Sequence, residues 1–234
     1  MLRTMASTAE CSMRPRSFQP LAGDQPGATS MFSRRVIITG LPLLLAGCGG
    51  GAMFSGVDYG PIHDDGFVSP AIDLTTIDPS LLRTEVAWHG KEKSGSIVVN
   101  VPERRLYLIE PGGKALRYAV GVGRTEATNF RGQAVIGRKE KWPHWTPTAN
   151  MMAAMPIYHH YAGGLDGGPD NPLGARALYL YRDGHDTFFR LHGTSEPESI
   201  GQAVSSGCIR LFNQDIIDLY NRVPIGTHVT VVQG

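Results

Sequence analysis

The stretch SIVVNVPERRLYLIEPGGKALRYAVGVG, Ser96 to Gly123, decides what kind of fold this chain can build. It holds three runs rich in β-branched, aliphatic and aromatic residues: Ile97–Val101, Leu106–Glu110 and Ala115–Gly121. A Pro-Glu-Arg connection separates the first two and a Pro-Gly-Gly turn the last two, so the stretch reads as a β-meander. Working outward, QAVIGRKEKW (Gln133 to Trp142) offers another strand. ARALYLYR and TFFRLHG offer two more, joined by the turn DGHD. NQDIIDLYNRVPIG carries Ile216, Leu219, Tyr220 and Val223 at helical spacing, with Asn213 as its N-cap and Asp215 in its first turn. Pro224 and Gly226 end that helix, and THVTVVQG closes the chain as an alternating strand.

Composition agrees with this pattern. Among 234 residues there are 29 glycines and 16 prolines, and only 18% are charged, a mix that suits a turn-rich, mainly β protein. A formal net charge of +1 provides no basic field for nucleic acid and no acidic tail for a cationic partner. The Pro/Gly-rich stretch from Pro143 to Gly174 reads as a long irregular loop.

The N-terminus reads as a targeting segment. In MFSRRVIITGLPLLLAGCGG, Arg34 and Arg35 precede an apolar run of 11 residues, Val36 to Ala46, followed by small residues. A bilayer span needs about 20 apolar residues, so the run is too short to cross. LAGC, ending at Cys48, resembles the bacterial lipobox, whose cysteine is acylated. SRRVII resembles a twin-arginine export signal, with Ile37 at its usual phenylalanine position, so the Sec route stays open. Met31 offers an alternative start codon. The expected organisation is a targeting segment over 1–47, a lipidated N-terminus and linker over 48–94, and a folded domain over 95–234. Within the linker, DPSLLRTEVAW suggests a short helix capped near Asp78, with Pro79 at its first position.

Three cysteines make the chemistry legible. Cys11 precedes the processing site and Cys48, if lipidated, is consumed, which would leave Cys208 as a free thiol in an oxidising compartment. Cysteines there usually pair or disappear, so chemistry is a better reason to keep one than packing. His192 ends a predicted strand and Cys208 follows a Ser-Ser-Gly turn, sixteen residues on, a spacing that suits a loop leaving a sheet and returning to the same rim. A thiolate attacks carbonyls, and a neighbouring imidazole can take the thiol proton and return it to a leaving amine. Gly193 and Gly207 would give backbone freedom, Gly207 would clear space for a bulky acyl donor, and amides around Gly207–Cys208 would serve as an oxyanion hole.

HGTSEPESIGQAVSSGCIRLFN, His192 to Asn213, resembles the signature of the YkuD-type L,D-transpeptidases, which cross-link bacterial peptidoglycan or attach proteins to it. The general signature has a second histidine where this chain has Ser206 and an asparagine where it has Arg210; the Ser-Gly-Cys-Ile-Arg form resembles the ErfK/YbiS/YcfS/YnhG-like Gram-negative branch. The meander, WPHWTPT and GGPDNPLGARALYLY extend the likeness from about Gly95 to Val232.

The resemblance implies a β-sandwich with a catalytic groove and a few short helices, working by ping-pong acyl transfer. Cys208 would be the nucleophile and His192 the base, then the acid. Ser206 would hydrogen-bond the imidazole or line the pocket. Arg210 would neutralise an acidic group of the peptide stem or brace the loop, two options that stand level. Gly193, Thr194, Asn171 and Trp145 would edge the substrate site, Trp145 having a hydrophobic plug as its plainer reading. Neither a metal nor a cofactor is required. The implied partners are peptidoglycan stems, envelope proteins as acyl acceptors, and a membrane reached through the lipid, in the periplasm and with Gly49 leaning toward the outer membrane. An L,D-carboxypeptidase or endopeptidase on the same fold, and a non-catalytic peptidoglycan-binding lipoprotein, are the rival readings. His159 and His160 read as a solvated loop, and GVGRTEATNFRG lacks the Lys-Ser/Thr of a phosphate cradle.

Overall fold

The computed structural model describes residues 57–233, and the export segment, Cys11 and the Cys48 lipidation site lie outside them. The meander forms as expected, with β1 (Ile62–Asp64), β2 (Phe67–Ser69) and β3 (Thr84–Ala87) ahead of it. Its strands are β4 (Ile97–Asn100), β5 (Arg105–Glu110) and β6 (Lys114–Ala119), followed by the short β7 (Val122–Gly123). Then come β8 (Gly132–Lys141), α1 (Ala149–Ala154), β9 (Arg176–Arg182), β10 (His185–His192), β11 (Ala203–Ser205) and β12 (Ile209–Arg210). α2 (Asn213–Arg222) and β13 (His228–Val232) complete the chain. The expected 143–174 loop is less irregular than its composition suggests, because α1 and a 3-10 turn over Pro156–Tyr161 lie within it.

Nine strands hydrogen-bond in the order β12-β10-β9-β8-β13-β4-β5-β6-β3. This sheet curls until its two halves face one another. Gly121, just after β6, exchanges two backbone hydrogen bonds of 2.9 Å with Arg210 of β12, so the first strand of the order returns to the end of the eighth. α2 points to the same curvature. It packs on β9 while Asp218 accepts a 2.6 Å hydrogen bond from Tyr118 of β6. Those strands are five steps apart, about 24 Å if the sheet were flat, whereas a helix of 10 residues is about 15 Å long. The inward residues of both halves form one core: Ile97, Val99, Leu106, Leu108, Val229 and Val231 from one, Ile136, Leu178, Leu180, Leu191 and Ile209 from the other. The mainly β architecture with a few short helices is the one expected.

Local chemistry explains the joints. The β9–β10 hairpin turns on Asp183 (φ 51°) and Gly184 (φ 78°), the left-handed pair that a two-residue hairpin demands. Lys139 of β8 donates at 2.7 Å to the carbonyls of Tyr220 and Val223, satisfying the C-terminal end of α2.

The linker expectation needs correction. Residues 57–87 pack on the domain. Tyr59 is buried against Phe212, and its hydroxyl donates to Asp215 of α2 at 3.0 Å. Gln214 Nε2 donates to the carbonyls of Gly60 and Pro70 at 3.0 Å. Arg176 pairs with Asp64 at 2.6 Å, and Arg83 with Asp218 at 2.9 Å. Burial pushes the Asp215 carboxyl up to about 7 despite Arg83 beside it. The expected Asp78 cap is present, donated to by the Ser80 amide, but the helix stops after one 3-10 turn and the chain continues as β3 against β6.

Replacing Tyr59 by Ala is expected to cost about 3 kcal/mol and to speed hydrogen exchange over residues 57–73. Urea unfolding with exchange mass spectrometry checks this, and parental exchange rates in the variant would show that the segment docks by other means.

Candidate active site

The site grows from one short ladder. β10 and β12 run parallel, with Leu191 opposite Ile209 and His192 opposite Arg210. Alternation along both strands sends Leu191 and Ile209 into the core, so Arg190, His192 and Arg210 share the other face, and Cys208 immediately precedes β12. Cys208 lies beside Arg190, whose backbone amide hydrogen-bonds its sulfur, and His192 is two residues further along β10.

His192 is 4% exposed, with Nδ1 2.6 Å from the Gly193 carbonyl oxygen. A carbonyl only accepts, so Nδ1 carries the proton and the neutral ring keeps Nε2 as its acceptor. Burial holds the ring's pKa down at about 3; Arg210 and Arg190 add to this, while the carbonyls of Gly193 and Leu173 oppose it. Cys208, a free thiol, keeps part of its surface open. Burial of the rest pushes its pKa above the ordinary range, countered by the Arg190 amide and by the charges of Arg190 and Arg210. The resting pair is therefore neutral imidazole and neutral thiol.

The turn ahead of Cys208 is organised by Ser205 rather than Ser206. Buried Ser205 donates through Oγ to the Cys208 carbonyl at 2.7 Å and accepts from the Gly207 amide at 3.0 Å. Ser206 is exposed and makes no side-chain hydrogen bond among the described residues. The Gly207 amide, expected as an oxyanion donor, is thus already engaged. Gly207 is required for a different reason from the one expected: at φ 127° a Cβ would stand 2.1 Å from the Thr128 carbonyl oxygen. The space it leaves is filled by the protein.

The other expected residues each make contacts within the protein. Arg210 pairs with Glu196 at 2.7 Å, which favours bracing over an unpaired cation. Asn171 is buried and gives Nδ2 to the carbonyls of Pro143, Leu165 and Asp166, tying the 143–174 loop together. Trp145 is buried against Tyr158 and Tyr161, the plug reading rather than a substrate wall. Thr194 is buried, and its Oγ1 accepts from the Glu196 amide at 3.0 Å. A Cβ on Gly193 would lie 2.1 Å from Asn213 Oδ1. His159 and His160 are exposed.

Sequence reading missed Asn213. It was expected as the cap of α2, but Phe212 holds that position. The buried Asn213 side chain accepts from the amides of Ala175 (3.0 Å) and Thr194 (3.2 Å) and donates to the Thr194 carbonyl (3.0 Å). It thereby fastens the strand end that carries His192. A polar residue at the close of the motif was the available signal, but its partners are 38 and 19 residues away.

Native His192 stays neutral down to about 3, whereas an unfolded histidine protonates near 6.5. Its contribution to stability is complete above 6.5 and is lost as pH falls toward 3, at up to about 1.4 kcal/mol per pH unit. Urea midpoints across this window should fall for the parent and fall less for His192→Gln; parallel curves would mean that the ring is not held neutral.

Comparison with known proteins identifies the family of the domain. Residues 94–231 match the YkuD family, described as the L,D-transpeptidase catalytic domain. The chain is similar to the probable L,D-transpeptidase ErfK/SrfK of Escherichia coli, 36% identical over 145 residues covering 58% of this chain and 43% of that protein. It is also similar to the probable L,D-transpeptidase YcfS of Escherichia coli, 37% identical over 177 residues, 72% of this chain and 51% of the other. It thus spans only about half the length of these relatives. A solved chain from Brucella melitensis, described as a probable carnitine operon oxidoreductase, is 44% identical and covers 67% of this chain and 97% of that one, with a TM-score of 0.46. With the family matched over more than half of its length, the chain belongs to the YkuD family of L,D-transpeptidase catalytic domains.

Proposed function

We propose that this protein is a peptidoglycan L,D-transpeptidase in which Cys208 is the nucleophile and His192 the general base and acid. Nε2 of His192 takes the Cys208 proton as sulfur attacks the carbonyl of the L-centre residue that precedes the terminal D-amino acid of a tetrapeptide stem. The scissile C–N bond breaks, the D-amino acid leaves with the proton, and a thioester remains. An acceptor amine, from another stem or from an envelope protein, attacks the thioester and frees the thiol. The observation that carries this reading is the β10–β12 register, which pairs His192 with Arg210, two residues after the free Cys208. Family membership supports the substrate class.

The parent protein incubated with disaccharide-tetrapeptide should form cross-linked dimers and a mass adduct on Cys208, and a carbapenem should give a stable adduct there. Cys208→Ala should lose all of these, by at least about 10³-fold in rate, as expected when a covalent nucleophile is removed. Only trimmed tripeptides would move the assignment to a carboxypeptidase. No adduct on folded protein would leave a binding protein.

The same proposal places the chain in the periplasm, acylated at Cys48 and held at a membrane, the outer one by preference. Supporting this are the Arg34–Arg35 pair, the short apolar run and LAGC. Cys48→Ser is expected to move the protein from the membrane fraction to the soluble fraction, read by fractionation and immunoblot; a variant still in the membrane fraction would argue for another anchor.

A further inference from the structure

β10 does not run evenly to the site. Its register on β9 jumps from Asp186 opposite Tyr181 to Arg190 opposite Tyr179, so four steps of β10 cover two of β9. At the centre of this bulge Phe188 has φ 62°, a left-handed conformation uncommon for a bulky residue. The residue is 77% exposed, so burial does not compensate for the strain.

What holds the turn is a chain of polar contacts. The Phe188 amide donates to Asp186 Oδ1 at 2.8 Å, and the Phe189 amide donates to Thr187 Oγ1, whose own proton goes to the Leu180 carbonyl at 2.6 Å. Arg190 grips Asp186 with two hydrogen bonds, 2.7 and 2.9 Å. Its guanidinium lies 4.3 Å from the Tyr179 ring centroid, with Arg138 also stacked on that ring at 3.6 Å. The product of this arrangement is a single placement: the Phe188 carbonyl oxygen stands 3.9 Å from Cys208 Sγ.

We propose that Asp186 and Arg190 are positioning residues, a clamp that keeps the Phe188 turn strained so that its carbonyl holds the Cys208 S–H in place until His192 takes the proton. This rests on the acyl-transfer reading above. A carbonyl acceptor favours the protonated sulfur, whereas the Arg190 amide favours the thiolate, so the turn sets both the direction and the poise of the thiol. The charged and titratable groups around the sulfur are Asp186, Arg190 and His192 from β10 and Arg210 from β12.

Three variants test the clamp, each compared with the parent in acylation kinetics with the tetrapeptide and in the pH profile of Cys208 alkylation by iodoacetamide. Asp186→Ala removes both the acceptor and the charge. Acylation kcat is expected to fall about tenfold with KM unchanged, and the alkylation midpoint to move to lower pH. Asp186→Asn keeps an acceptor for the Phe188 amide. It should recover kcat to within about threefold of the parent while its midpoint stays low, because the charge is gone. Thr187→Val leaves Asp186 in place and should give a smaller loss of kcat, which keeps the test decisive if Asp186→Ala fails to fold. Parental kcat and midpoint in Asp186→Ala, or equal losses of kcat in the Ala and Asn variants, would overturn the proposal. A parent that alkylates at Cys208 but forms no thioester would instead sink the acyl-transfer reading, and the alkylation profiles would then decide the clamp alone.

Discussion

Everything at the site depends on two residue pairs, Leu191 with Ile209 and His192 with Arg210, in the parallel contact of β10 and β12. Burying a side chain such as Leu191 or Ile209 contributes about 1.5–3 kcal/mol, and each of those burials fixes the outward direction of its neighbours. A slip of one residue would send His192 toward the core and bring Leu191 to the surface, which the core forbids. The same core packing that stabilises the domain therefore turns the His192 imidazole away from the core, opposite Arg210 and two residues from Cys208. Arg210 links this ladder back to Gly121, so the closure of the sheet and the placement of the site are one event.

The electrostatics follow from where that face lies. Two arginines flank the pair, but each is held by a carboxylate, Arg190 by Asp186 and Arg210 by Glu196. Desolvation dominates, keeping the histidine and the cysteine uncharged at rest. In that state no ion pair need be broken before a substrate docks. In the proposed acyl transfer, proton transfer to His192 would coincide with attack by sulfur, when the reacting centre itself supplies the driving force.

α2 connects the site to the segment that precedes the domain. Its first residue, Asn213, ties the strand end carrying His192 to the Gly174–Ala175 loop. Its next two, Gln214 and Asp215, receive the segment through the carbonyls of Gly60 and Pro70 and the hydroxyl of Tyr59. Three consecutive polar residues, all buried, thus join the N-terminal approach of the chain to the site. Burying them would be costly without partners, and almost all their polar atoms have one.

Local pattern carried much of this protein. The β-rich runs Ile97–Val101 and Leu106–Glu110, the Asp-Gly turn and the 3.6-residue spacing after Asn213 each depend on neighbours in sequence, and each appears within a residue or two of its expected bounds. The spacing that sets Cys208 sixteen residues after a strand-end histidine is local in the same way, so the sequence alone singles out the pair. Tertiary structure alone decided the rest. Ser205 rather than Ser206 became the organiser of the turn because only one of two adjacent hydroxyls could face inward. Asn213 left its cap for amides 19 and 38 residues away, Asp186 and Arg190 acquired a role through a bulge, and the tether became a docked segment. Hydrogen-bond partners distant in sequence leave no periodic trace, so they become visible only when the chain has closed around its core.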